Sequence, residues 1–208
     1  MTESGHRLSM TLSEIGAVPA PTPPGVTGHD VHFYKNDAQL SRAVVRFLSD
    51  AIRVGQPIIV IATEAHRLAF SAGLREVGLD PDRVLSGRLA IWLDAEETLD
   101  SFMEGGMPNR ELFTATVGSV FARLLDKRHY LVVRAFGEMV DLLSKSGNTE
   151  GASALEELWN ELANNYKYSL LCGYSMDNFL HETGAEGLRR VCGHHTNVLP
   201  PEYMDEVA

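Results

Sequence analysis

The chain has 208 residues, 44% of them hydrophobic, which suits one packed domain with or without a tail. Its formal charge of −10, with 18 basic residues scattered among 28 acidic ones, argues against binding a nucleic-acid backbone. No apolar run approaches the ~20 residues that span a bilayer, no apolar leader segment is present, and Cys172 and Cys192 alone make no disulfide framework; cytoplasmic residence with reduced thiols is the expectation.

Residues 1–28 read as a flexible tail, because AVPAPTPPGVTG places four prolines and two glycines in twelve residues. Within it Leu8 to Ile15 forms one weakly amphipathic piece. From residue 29 to 208 the pattern is that of a single domain. HDVHFY predicts a short strand. Leu40, Val44, Phe47, Leu48 and Ala51 then share one helical face, closed by Gly55. PIIVIA, residues 57–62, reads as a strand buried on both faces. Thr63 caps a helix running to about Val77, before Gly78. LAIWL at 89–93 is the next strand, and Asp94 with Glu97 has the logic of a capping box. Pro108 is expected to start a longer helix. A strand is predicted at 130–134, a helix from about Glu138, a break at Gly147–Asn148, and a helix through Leu155, Leu158, Trp159 and Leu162. SLLCGY at 169–174 is a further strand, followed by a short helix and another over Ala185–Gly193. Strands separated by helices imply an α/β fold: three layers, with helices on both faces of a mostly parallel sheet.

The chemistry-bearing motifs are mostly negative. No G-x-x-x-x-G-K-[ST] loop is present: none of Lys35, Lys127, Lys145 and Lys167 follows a glycine. After PIIVIA the chain reads TEAHRLAF, where Glu64 would repel phosphate. G-x-G-x-x-G and G-x-S-x-G are absent as well. Cys172 falls inside an apolar strand and reads as a buried inert thiol. The acidic pairs Glu96–Glu97 and Glu156–Glu157 read as solvated helix faces. Cys192, His194 and His195, with His29 and His32 as a second group, could hold metal, but their spacing follows no standard zinc pattern; no metal or other cofactor is expected.

In a parallel sheet the C-terminal strand ends share one edge, where ligands bind. Thr63, Glu64, His66, Asp94, Arg134, Glu138 and Tyr174 would collect there. Arg134 and Glu138 are four residues apart and are expected to pair.

These segments resemble the MEDS family of sensory domains. The resemblance is carried by HDVHFY, GQPIIVIAT, LDAEETLDSFMEGGMPN, VRAFGEMVDLL, ALEELWNEL, LLCGYSM and CGHHTNVLP, and it covers residues 29–200. R-x-x-G-E-M followed by L-E-x-L-W-N is its most specific part. The resemblance implies a fold like that of RecA-type ATPases without the Walker A loop, matching the missing G-K-[ST]. It also implies a sensory module for hydrocarbon derivatives or related small molecules. By position, the family's characteristic polar residues would be His29, Tyr34, Asp94, Arg134, Glu138, Asn160, Tyr174 and His195.

The function expected is therefore non-enzymatic signal transduction. A small molecule would bind at the strand edge, with Arg134 anchoring it, Glu138 orienting Arg134, and Tyr34 and Trp159 supplying aromatic wall. Output would pass through a protein partner such as a histidine kinase, an anti-sigma factor or a transcription regulator. No nucleic acid or membrane partner is expected, and self-association is compatible with this reading. The alternatives are a degenerate nucleotide-binding protein and a ligand-free interaction scaffold.

Overall fold

A computed structural model describes residues 20–86, 89–126, 131–180 and 184–201. The elements run β1 Gly28–Tyr34, α1 Asp37–Arg53, β2 Ile58–Ala62, α2 Glu64–Glu76, α3 Pro81–Ser86, β3 Ala90–Asp94, α4 Ala95–Asp100, β4 Met103–Glu104 and β5 Met107–Pro108. They continue with α5 Arg110–Phe113, a π turn Thr114–Gly118, α6 Ser119–Leu125, β6 Val133–Gly137, α7 Met139–Lys145, α8 Thr149–Leu162 and β7 Tyr168–Ser175. A 3-10 turn at Met176–Phe179, α9 Gly184–Gly193 and β8 Asn197–Leu199 complete the order. The segment Leu8 to Ile15 lies outside the described residues.

Six strands form one parallel sheet in the order β3-β2-β6-β7-β1-β8. The central strands are buried on both faces, and their side chains alternate between two cores. Ile58, Val60 and Ala62 pack with Leu40, Val44, Phe47, Phe70 and Leu74 of α1 and α2. Ile59 and Ile61 pack with the residues of α4 to α8. The fold is thus three-layered, as the alternation of periods 2 and 3.6 dictates.

Local chemistry sets the boundaries. Asn36 caps α1 by accepting from the Gln39 N–H at 3.0 Å, and Asn148 caps α8 by accepting from the Gly151 N–H at 2.9 Å. Pro108 does not start a helix. Gly105 and Gly106, at φ 56° and 83°, turn the chain so that β5 pairs antiparallel with β4. The helix begins one residue after Asn109, whose side chain accepts from the Leu112 N–H at 3.1 Å.

Two expectations fail at the N-terminal edge of the sheet. Residues 20–28 are not loose: Thr22 is buried, its N–H and hydroxyl donating to Asp30 at 2.6 and 2.8 Å. The strand expected at 130–134 runs instead from Val133 to Gly137. Arg134 is its second residue, opposite Ile58 and Ser169, and so lies at the end of the sheet away from the expected site.

Candidate functional site

The C-terminal edge collects Tyr34, Thr63, His66, Asp94, Glu138 and Asp141, but their polar atoms are occupied by one another. Glu138 accepts from the Thr63 backbone N–H and from His66 Nδ1, not from Arg134. His66 Nε2 lies 3.5 Å from Asp37. Tyr34 donates to Asp141 at 2.7 Å; Lys145, the Ser175 N–H and Asn178 fill the rest of that carboxylate at 2.7, 2.8 and 2.7 Å. Asp94 caps α4, accepting from the Glu96 and Glu97 N–H groups at 3.0 Å each, and pairs with Arg67 at 2.7 Å. These are three separate groups, each holding adjacent strand ends together.

Burial lowers the His66 pKa, but the hydrogen bond to Glu138 and the charges of Glu138 and Asp37 outweigh it, so the value is raised. The stabilisation from this imidazolium is complete below about pH 6.5 and is lost as pH rises through the raised value. A His66→Gln variant should therefore lose less melting temperature than wild type between pH 6 and pH 9; parallel pH profiles would disprove the pairing.

Arg134 does not reach this edge. Its guanidinium lies 3.5 Å above the Phe47 ring and donates to the carbonyls of Phe47 and Thr22. Trp159 is no ligand wall either: it is 1% exposed, and its ring meets Phe113, Phe121 and Tyr168.

The remaining candidates, His29, Asn160, Tyr174 and His195, converge elsewhere, beneath the sheet between β1, β7, α8 and the end of α9. Two residues that sequence reasoning set aside complete the group. Glu156, fully buried on α8, lies 3.1 Å from His29 Nε2 and 3.3 Å from His195 Nε2, and accepts from the Tyr174 hydroxyl at 2.9 Å. Cys172 Sγ lies 3.3 Å from His29 Nε2 and 3.6 Å from Glu156. Asn160 contacts His29 Nδ1 at 2.9 Å through Oδ1, while its amide group donates to the His194 carbonyl at 3.2 Å. His194 itself bonds Ser153 at 2.9 Å and stays outside the group. His32 points to the opposite face of the sheet, since it is odd-even offset from His29 and Val31.

Burial opposes ionisation of Glu156, but the neighbouring imidazoles of His195 and His29 prevail and hold its carboxyl well below the usual range. Burial also pushes the Cys172 thiol and the Tyr174 hydroxyl up, and the Glu156 charge pushes both the same way. Glu156 was recognisable as unusual: with Ala152, Leu155 and Trp159 it lies on the buried stripe of α8, whereas Glu157 faces solvent.

Glu156 and Tyr174 also form the floor of a cleft of about 290 Å³. Ala152 and Ser153 of α8, Phe179, and Gly187, Arg190 and Val191 of α9 wall it. Arg190 stands near its mouth, 3.9 Å from Glu186.

Among solved structures, a KaiC-like protein of the hyperthermophilic archaeon Pyrococcus horikoshii is similar at 12% identity with a TM-score of 0.48, covering 82% of this chain and 78% of that one. No curated protein matches the sequence. Among the described residues no helix is long and apolar enough to cross a membrane. The model of the methanogen/methylotroph, DcmR sensory domain matches residues 28–196, and the chain belongs to this MEDS family.

Proposed function

We propose that the chain is a non-enzymatic sensory module that binds a small organic molecule in the cleft between α8 and α9 and signals through a protein partner. A histidine kinase, an anti-sigma factor or a transcription regulator would serve as that partner. The reading departs from the strand edge because the cleft between α8 and α9 is lined by Glu156 and Tyr174 and by none of Thr63, His66, Asp94 or Glu138.

That meeting is the observation that carries the proposal. Glu156 and Tyr174 offer polar atoms at the bottom of a space walled by Ala152, Phe179 and Val191. At about 290 Å³ it sits at the lower end of ligand sites, which run to about 1,000 Å³. A short hydrocarbon derivative with one hydroxyl or amino group suits such a space: the polar group donates to Glu156 and the chain lies against the apolar wall. Binding would favour one position of α9 against α8 and so alter the surface offered to the partner, a population shift.

A thermal-shift series with short-chain alcohols, amines and aldehydes tests this. A ligand at 100 times its Kd should stabilise the native state by about 2.7 kcal/mol. Gly187→Leu should abolish the response, because a Cβ at Gly187 already meets the Phe179 ring at 3.6 Å and a leucine would fill the cleft. A full response in Gly187→Leu, or stabilisation by Mg-ATP alone, would defeat the proposal.

A further inference from the structure

We propose that His29, Glu156, Cys172 and His195 form a binding site for a divalent transition metal of the zinc class. The four donor atoms, two imidazole nitrogens, a carboxylate oxygen and a thiol sulfur, all lie within 4.8 Å of one another. The site stands independently of the cleft ligand, although Glu156 belongs to both.

Spacing supports such a site. Zinc bonds of about 2.0–2.3 Å in a tetrahedron place neighbouring donors about 3.3–3.7 Å apart. Glu156 Oε2 lies 3.1 Å from His29 and 3.6 Å from Cys172, His29 and Cys172 are 3.3 Å apart, and His195 is 3.3 Å from the other oxygen, Oε1. His29, Cys172 and Glu156 Oε2 are thus spaced close to the edges of such a centre, and His195 completes the four within 4.8 Å. Two imidazoles, one thiolate and one carboxylate match the borderline softness of zinc better than the hardness of magnesium or calcium.

Both rings are oriented for ligation. His195 Nδ1 lies 2.7 Å from the Val191 carbonyl, which can only accept, so Nδ1 carries the proton. His29 Nδ1 faces the Asn160 oxygen at 2.9 Å, because the Asn160 amide nitrogen is turned to the His194 carbonyl. In the neutral form that metal binding requires, His29 Nε2 faces Glu156 and Cys172, and His195 Nε2 faces Glu156. Ligating histidines are held in this way, by an outer carbonyl on the second nitrogen.

One donor has an unmet need. The His195 side chain is fully buried, yet among the described residues its Nε2 makes no hydrogen bond; Glu156 Oε1 is 3.3 Å away but outside hydrogen-bond geometry. A buried nitrogen without a partner is costly. A cation at the centre of the four donors satisfies it together with the other three. On coordination the Cys172 sulfur gives its proton to solvent and binds as thiolate.

The test uses the full chain, stripped with a chelator and titrated with Co2+ and then Zn2+. The site requires one Co2+ per chain, the visible bands of tetrahedral cobalt, and a near-ultraviolet thiolate-to-cobalt band, all displaced by one Zn2+. Cys172→Ser should lose the thiolate band, while Cys192→Ser, which alters a half-buried thiol outside the group, should keep it. Asn160→Ala should weaken binding about 10–100-fold by freeing the His29 ring. Failure of folded wild-type protein to bind either metal would overturn the proposal, and so would a thiolate band that survives in Cys172→Ser. Either failure would leave the cleft response to organic ligands unaffected.

Discussion

Replacing Arg134 by alanine is expected to lower the free energy of unfolding by about 3–5 kcal/mol, the cost of removing one member of a buried charged network. The folded fraction should still bind its small molecule unchanged. Arg134 is 1% exposed, and burial lowers its pKa to about 10, against the raising effect of Asp30 and Asp50, so it remains charged at neutral pH. Its work is done on the segment before β1. Asp30 takes the N–H of Thr22 and Arg134 takes the carbonyl of the same residue, while Asn197 of β8 donates to Asp30 at 2.8 Å. Removing the guanidinium leaves the Thr22 and Phe47 carbonyls without this donor and Asp30 without its nearby positive charge. Arg134→Lys should recover little, because one ammonium cannot reproduce the planar fork lying over Phe47. Urea unfolding of the three proteins measures this. A loss below 1 kcal/mol would show that the strut is dispensable, and a folded Arg134→Ala protein that no longer binds ligand would return the arginine to the site.

The second large effect concerns acid. His32 lies fully buried in β1, and among the described residues neither ring nitrogen has a hydrogen-bond partner. Burial lowers its pKa to about 4; the Leu199 backbone offsets this only in part, without reaching hydrogen-bond geometry. The native state therefore keeps the ring neutral where the unfolded chain, at about 6.5, already takes up a proton. The sign follows: stability from the neutral ring is complete above about pH 6.5 and is lost as pH falls through about 4. A difference of about 2.5 pH units corresponds to roughly 3 kcal/mol. Between pH 7 and pH 4 the wild type should lose about that much more stability than His32→Leu, a comparison that cancels the carboxylates common to both. Equal losses would show that His32 is protonated without penalty in the native state.

Much of the fold was legible because burial and period agree. Every residue of β2 is buried, and the five-residue run Ile58–Ala62 admits little else. The apolar stripe of α1, the break at Gly147–Asn148 and the cap Asp94 are local signals, which sequence displays directly. Arg134 was misplaced because a charged residue ordinarily marks the end of a buried strand. Here it sits inside one, made tolerable by two backbone carbonyls and an aromatic ring contributed by residues 22 and 47. No local pattern announces partners so distant in the chain.

The same reason hid a third of the candidate site. Tyr174 was named from the strand-edge argument, His29 and His195 from their metal-binding side chains and Asn160 through family resemblance, but Glu156 and Cys172 resemble ordinary helix and strand residues until the sheet brings β1 beside β7. Their chemistry arises from register: His29 and Val31 share a face of β1, Cys172 and Tyr174 a face of β7, and α8 lays Glu156 across both. A carboxylate on the buried stripe of an amphipathic helix was the one signal present in the sequence that distinguished Glu156 from Glu157.

The central claim is that the cleft floored by Glu156 and Tyr174, not the C-terminal edge of the sheet, receives the small molecule. Backbone amide NMR spectra of the full chain, recorded while adding the alcohol, amine or aldehyde that most raises the melting temperature, test it most directly. The account predicts that the largest shifts fall on Ala152, Ser153, Glu156, Phe179, Gly187 and Val191. Shifts centred instead on Thr63, His66 and Glu138, with the cleft residues unmoved, would contradict it.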